Sequence, residues 1–205
     1  MKNTDLDFSF EQQYWNQGKK MVAGIDEVGR GPLAGPVVTC AVILSPECKL
    51  IEGVKDSKKI PKNKHPLLAK QLKGSGLRFA IGVGTVEQIN ELGIVGAIRN
   101  AINNCLANID LYHQVIMDGL PFKEPLDISS PIDYIVKGDS KAYSIAAASI
   151  IAKDYRDCLM REIGEEFPDF EWEKNAGYGT RVHREAILKY GPTIHHRELF
   201  IRKLV

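Results

Sequence analysis

The chain has 205 residues, 44% hydrophobic and 26% charged, with 27 basic and 26 acidic side chains and a formal net charge of +1. That composition is that of one water-soluble globular domain, able to bury roughly 70% of its unfolded surface without disulfides or a structural metal. It excludes a globally basic nucleic-acid binder, and no apolar run approaches the about 18 residues of a membrane span, so a cytoplasmic setting is expected.

The opening stretch, MKNTDLDFSFEQQYW, is polar and unlike a secretory signal, and residues 7–16 predict a short leading helix. Residues 21–26 predict a strand that runs into two adjacent carboxylates, Asp26 and Glu27, and then into Gly29-Arg30-Gly31-Pro32. Gly35 to Leu44 predicts a second strand, rich in β-branched residues, and residues 63–73 predict a helix. Arg78 to Val86 alternates as a third strand, weakened at Gly82 and Gly84. Residues 94–109 give the clearest helix, with Ile94, Ile98, Ala101, Ile102, Cys105 and Ile109 on one face.

Gln114 to Met117 predicts a strand entering Asp118-Gly119, and residues 133–137 another, entering Gly138-Asp139. From Ala142 to about Gly164 a long helix is expected, its alanines and serines letting it lie close against a sheet. Residues 181–190 predict a further helix capped by Thr180. Three early strands that can pair as a meander, followed by helix, strand, strand and helix, argue for a mixed sheet flanked by helices. No repeat, low-complexity segment or linker divides the chain. Cys40 and Cys105 sit in apolar runs as reduced core residues. Neither the cysteines nor the histidines carry zinc-binding spacing.

Each of the acids Asp26, Asp118 and Asp139 follows an apolar strand. Paired strands lie about 4.8 Å apart, so neighbouring strand ends bring these acids to one sheet edge, with Glu27 beside them. Four carboxylates in a partly dry site need cations, and an all-oxygen donor set suits Mg²⁺ or Mn²⁺. Two such ions about 3.5–4 Å apart are the apparatus of in-line phosphodiester hydrolysis. In a regular strand Asp26 and Glu27 point to opposite faces, so their convergence requires the strand to end or bulge at Glu27. Asp157, in AKDYRD, competes with Asp139 for the last position, its alternative being an ion pair with Lys153 or Arg161. Other phosphodiesterases of transposase or resolvase type share strand-end acids, and a binding module without catalysis is a further alternative.

The motif DEVGRGPLAGPVV resembles the signature of type 2 ribonuclease H, the ribonuclease HII family. The likeness continues through DSKK at 56–59, MDG at 117–119, KGDS at 137–140, AAASIIAKDYRD at 146–157, GYGT at 177–180 and HHRELF at 195–200. It covers nearly the whole chain. The resemblance implies an RNase H-like five-stranded fold with a leading segment to about residue 18 and a helical C-terminal segment from about residue 170. It implies an endonuclease that cuts the RNA strand of RNA–DNA hybrids, and DNA duplexes at embedded ribonucleotides, leaving 5′-phosphate ends. The metal-binding and catalytic acids match Asp26, Glu27, Asp118 and Asp139, with Mg²⁺ or Mn²⁺ as cofactor. Only about 20 residues precede the first strand, which favours type 2 over the larger type 3. A monomer is the expected state.

The ribonucleotide reader implied by the resemblance is Gly29-Arg30-Gly31 with Tyr178. Glycines let the backbone approach a sugar, Arg30 can hold a phosphate, and the tyrosine stacks on the deoxyribose beyond the ribonucleotide. Lys55, Ser57, Lys58 and Lys59 read as phosphate contacts, which fix register without base specificity. Lys153 and Arg156 are assigned either to the nucleic-acid backbone or to ion pairs on the helix. His195, His196 and Arg197 are assigned either to packing or to substrate. The chain departs from the pattern at Asn175-Ala176, where many relatives carry a lysine, and at Asp154, where an apolar residue is usual.

Overall fold

The computed structural model describes residues 6–204, so the first five residues of the expected leading segment and Val205 lie outside it. Its strands are β1 (Val22–Val28), β2 (Val37–Leu44), β3 (Arg78–Gly84), β4 (Gln114–Asp118) and β5 (Ile132–Ile135). They form one five-stranded sheet in the order β3-β2-β1-β4-β5. The first three pair antiparallel, as the expected meander. β4 joins β1 in parallel and β5 joins β4 in parallel. A parallel neighbour needs a long crossover, and the path through β2, β3 and α3 (Val86–Ala107) supplies it.

Strand periodicity sorts the side chains onto two layers. On β2, Val38, Cys40, Val42 and Leu44 pack with Ala146, Ile150 and other residues of α4 (Tyr143–Glu166), and with Leu68 and Leu72 of α2 (His65–Gly74). Val37, Ala41 and Ile43 of the same strand pack on Ile98 and Ile102 of α3. With both faces covered, all eight residues of β2 are buried. Burial of side chains of this size stabilises by about 1.5–3 kcal/mol each before entropy is set against it.

α3 starts earlier than the sequence periodicity predicts. A capping box between Thr85 and Gln88 starts it at Val86, and the chain turns at Gly93, φ 71, before the expected stretch begins. Gly82, expected as a weak point of β3, is a close-packing position. A side chain there would collide with the carbonyl of Ala101 on α3. α6 (Arg181–Tyr190) spans the predicted residues, with Thr180 Oγ1 accepting the His183 N–H at 3.3 Å. The short helices α1 (Ser9–Trp15), α5 (Trp172–Asn175) and α7 (Glu198–Ile201) complete the α-helices among the described residues, and 3₁₀ turns lie at Ser57–Lys59, Gly138–Ser140 and Pro168–Phe170. Met160, Phe170, Trp172, Ile187 and Ile201 form a third cluster that joins the C-terminal segment to α4. Among the described residues, no helix is long and apolar enough to cross a membrane.

Candidate active site

The parallel register that pairs Ile25 with Met117 sets Asp26 and Asp118 at the next position along β1 and β4. Both share the strand parity of residues that face α4, Asp26 with Val22 and Asp118 with Ile116. Asp26 is 6% exposed, and Ser149 of α4 stands close enough to favour its charged form. Burial, and then the charge of Glu27, push the Asp26 carboxyl well above its ordinary value, with Asp118 adding to the shift. Burial likewise raises Glu27, against the opposing pull of Arg30. Asp118 Oδ1 accepts the Gly138 N–H at 2.6 Å, which ties β4 to the turn carrying Asp139. Asp139 is 5% exposed and lies one short turn beyond β5, on Gly138–Ser140, rather than at the strand end.

The expected break at Glu27 is absent. β1 continues to Val28 with regular pairing, Glu27 opposite Thr39, so Glu27 projects to the face opposite Asp26. There its Oε1 accepts from Arg30 Nη1 at 2.8 Å. Asp139 in turn faces Lys58, whose Nζ lies 3.4 Å from Oδ2. Burial pulls the Lys58 ammonium down, but Asp139, Asp56 and Asp26 together leave it above its ordinary value.

As they stand, no three His, Cys, Asp or Glu side chains among the described residues are arranged to hold a metal ion. The chemistry of the acids nonetheless fits one. The donors are oxygen only, and the two acids on β1 are held up in proton affinity by burial and by neighbouring carboxylates, Glu27 and Asp118 acting on Asp26 and Asp118 on Glu27, which a hard divalent cation would relieve. Holding it requires Glu27 and Asp139 to exchange Arg30 and Lys58 for the ion. Asp157 is a poorer candidate, because its Oδ2 is bonded at 2.7 Å to Lys153 on a half-exposed helix face.

The basic segment divides. Ser57 is buried, its Oγ 3.0 Å from Ser149 Oγ, which places it behind Asp26 rather than on the surface. Lys58 belongs to the acid edge, and Lys59 reaches Asp56 at 3.7 Å. Lys55 is half-buried. Tyr178 is 48% exposed, and its Cε1 lies 3.8 Å from where a Gly31 side chain would begin. The sequence-distant parts of the expected sugar reader therefore meet. A cleft lined by Ser57, His65, Lys153, Asp157, Ala176 and Tyr178 runs beside them. Asp154 bonds Lys73 at 2.7 Å and is turned from the acids. Asn175 accepts the Gly177 N–H at 2.8 Å, so this departure from the family pattern shapes the tyrosine loop from within.

Three residues with open assignments prove structural. Arg156 and Arg197, 1% and 0% exposed, cannot touch a nucleic-acid backbone. Arg156 donates to the carbonyls of Ala34, Pro36 and Ala176. Arg197 donates to those of Gly29, Arg30, Gly35 and Pro36. His196 pairs with His183 at 3.1 Å, and the bonding fixes both tautomers. Thr193 N–H donates to His196 Nδ1, so Nε2 of His196 carries the proton and donates to His183 Nε2. That atom also accepts from Trp172 Nε1, so His183 donates from Nδ1 to the Tyr178 carbonyl at 2.9 Å. Burial, and then His183, lower His196 to about 4, which keeps the pair neutral.

The ribonuclease HII family model matches residues 23–203. A ribonuclease HII of Chlamydia caviae is 44% identical over 200 residues, covering 96% of this chain and 92% of that protein. Among solved structures, the ribonuclease H2 of Pyrococcus horikoshii OT3 superposes with a TM-score of 0.71 at 24% identity, covering 90% of this chain and 96% of that one. Bst-RNase HIII in complex with Mn²⁺ follows at a TM-score of 0.65 and 21% identity, covering 84% of this chain and 63% of that one. The mixed five-stranded sheet with flanking helices is thus the RNase H-like fold expected from the sequence.

Proposed function

The chain belongs to the ribonuclease HII family, and from that premise we propose that it is an endonuclease hydrolysing the RNA strand of RNA–DNA hybrids. Its finer activity is incision at single ribonucleotides in duplex DNA, leaving 5′-phosphate ends. Asp26, Glu27, Asp118 and Asp139 hold the metal. Bound there, a pair of Mg²⁺ or Mn²⁺ ions would supply an activated water and neutralise charge on the leaving oxygen.

The protein's own residues do the selecting. Arg30, exposed beyond its bond to Glu27, is free to exchange that carboxylate for a substrate phosphate when the acids take up metal. Lys58 makes the same exchange from Asp139, and Lys55 and Lys59 extend the phosphate track. Tyr178 closes over the deoxyribose that follows the ribonucleotide, while the Gly29–Gly31 backbone meets the 2′-hydroxyl. The observation that carries this reading is the span from Glu27 to Gly31. Its first residue adjoins Asp26 on β1, its last lies beside Tyr178, and Arg30 between them bonds Glu27 at 2.8 Å.

The test uses three duplexes of one sequence: all DNA, DNA with one ribonucleotide, and RNA–DNA hybrid. With Mg²⁺ or Mn²⁺ the protein should cut the last two, nick the single-ribonucleotide strand at that position, and leave all-DNA intact. In EDTA it should cut none. Cleavage in EDTA, or equal cleavage of all three, would end the reading.

A further inference from the structure

Arg197 and Arg156 are buried guanidiniums whose hydrogen-bond partners are backbone carbonyls. Among the described residues no carboxylate bonds to either. Burial, and then the charge of Arg156, lower Arg197 to about 9. Burying two like charges is costly when no carboxylate bonds to either, Asp157 acting on Arg156 only through its field, and well-packed apolar side chains often fill such a space at lower cost. What arginine offers instead is a rigid planar fork with five donors in fixed directions.

The carbonyls it takes have a geometric consequence. A trans peptide is planar, so its C=O and the N–H of the next residue point in opposite directions. Arg197 Nη2 holds the Gly29 carbonyl at 2.7 Å, and Nη1 holds that of Arg30 at 3.1 Å. The N–H groups of Arg30 and Gly31 are therefore turned away from the buried guanidinium, and both residues are exposed. No other hydrogen bond among the described residues takes up either N–H. Two adjacent amides aimed outward make a small concave donor pair of the kind that receives an oxygen.

The same frame fixes the tyrosine opposite them. Arg156 Nη1 holds the Ala176 carbonyl at 2.9 Å while Nε holds Pro36 O at 2.9 Å, and Leu33 N–H donates to the Gly177 carbonyl at 2.8 Å. Arg197 N–H in turn donates to Leu33 O at 2.8 Å. Residues 29–36, 176–178 and 195–197 are thereby pinned to one another.

We infer that Arg197 is a positioning residue for sugar recognition: it aims the Arg30 and Gly31 amides as a pair at the ribose 2′-hydroxyl, with Arg156 holding the Tyr178 loop in register across from them. This deepens the ribonucleotide reading above and rests on it. Arg197 touches no substrate. Its effect is on the ratio between a duplex with one ribonucleotide and its all-DNA counterpart.

The test is equilibrium binding of those two duplexes in Ca²⁺, with wild type and Arg197→Lys. Lysine keeps the charge but cannot hold four carbonyls at once. The wild-type preference for the ribonucleotide duplex should fall about tenfold, the loss of one or two well-aimed hydrogen bonds, while affinity for all-DNA stays within about twofold. A role confined to stability would lower the active fraction and leave the ratio unchanged, and that result would overturn the inference. If wild type shows no preference, the ribonucleotide reading itself fails. Should Arg197→Lys not fold, backbone amide resonances of wild type decide. Those of Arg30 and Gly31 should shift on adding the single-ribonucleotide duplex and not on adding all-DNA, and equal response to both would overturn the inference.

Discussion

Alanine at Gly29 and alanine at Gly31 are expected to fail in different ways. Gly29 adopts φ +97, and a side chain there would collide with the Arg156 guanidinium and lie 3.0 Å from the Pro36 carbonyl. The backbone conformation costs a non-glycine residue about 1–2 kcal/mol, and the crowding about 1–3 kcal/mol more. At about 2–4 °C per kcal/mol for a chain of this size, Gly29→Ala should lower the unfolding midpoint by roughly 4–20 °C. Gly31 has no positive φ, and the nearest atom to an added methyl is Tyr178 Cε1 at 3.8 Å. The folded protein accommodates that methyl, and the reduced freedom of the unfolded chain is worth up to about 1 kcal/mol in its favour. The ribonucleotide should not be accommodated if it sits where proposed, because the methyl fills the space between the amide pair and the tyrosine. One misplaced carbon in a fitted pocket is worth roughly 10–200-fold in rate. Circular-dichroism melts and single-turnover cleavage of the one-ribonucleotide duplex separate the two variants. If Gly31→Ala cleaves at the wild-type rate, or melts as low as Gly29→Ala, the assignment of the two glycines is wrong.

Asp118→Asn keeps the acceptor for the Gly138 N–H but removes a charge that pushes up both Asp26 and Glu27. It should cut activity by roughly 100-fold or more while the metal-free protein melts no lower than wild type, and full activity would remove Asp118 from the metal site. Asp139→Asn should cost far more rate than Asp157→Asn at saturating metal, since Asp157 is already paired with Lys153. The reverse order would move the ligand to α4. Tyr178→Ala should slow cleavage of a single ribonucleotide in DNA more than cleavage of a continuous hybrid, where neighbouring registers are available. Equal slowing would make Tyr178 a loop residue. Protonating His196 opposes folding, because its folded value of about 4 lies below the ordinary 6.5. Its contribution to stability is therefore complete above about pH 6.5 and lost as pH falls toward 4, the unfolded chain binding the extra proton. His196→Gln should flatten that acid limb of the melting curve, and an unchanged limb would contradict the neutral pair.

Much of the sheet, and the placing of Asp26 and Asp118 side by side on neighbouring strands, was legible because strand periodicity and a terminal carboxylate leave marks within a few residues. The same local logic gave α6, whose cap and apolar positions sit together at 180–190. It missed the first turns of α3, although Thr85-x-x-Gln88 is a capping box readable in sequence. It also read Gly82 as a weakness, since the helix main chain that needs the space lies about twenty positions away. The side of the sheet on which Glu27 projects depends on whether β1 stays regular, and β2 decides that through pairing the sequence does not display. Arg156 and Arg197 look like any basic residues on helices or near a terminus. Only the carbonyls that converge on them from distant segments reveal what they do.

Arg197 reaches the Gly29 carbonyl across 168 positions of chain. Synthesis proceeds at about 5–20 residues per second, so residues 29–36 wait roughly 10–30 s for the group that gives them their final shape. Contacts of such separation also form late in refolding, because the closure entropy of the intervening chain must first be met. The strands that set Asp26 beside Asp118 are therefore synthesised well before the segment proposed to complete the sugar site. On the proposed reading, discrimination would be the last property the molecule acquires, and the first it would lose if the final turns of the chain frayed.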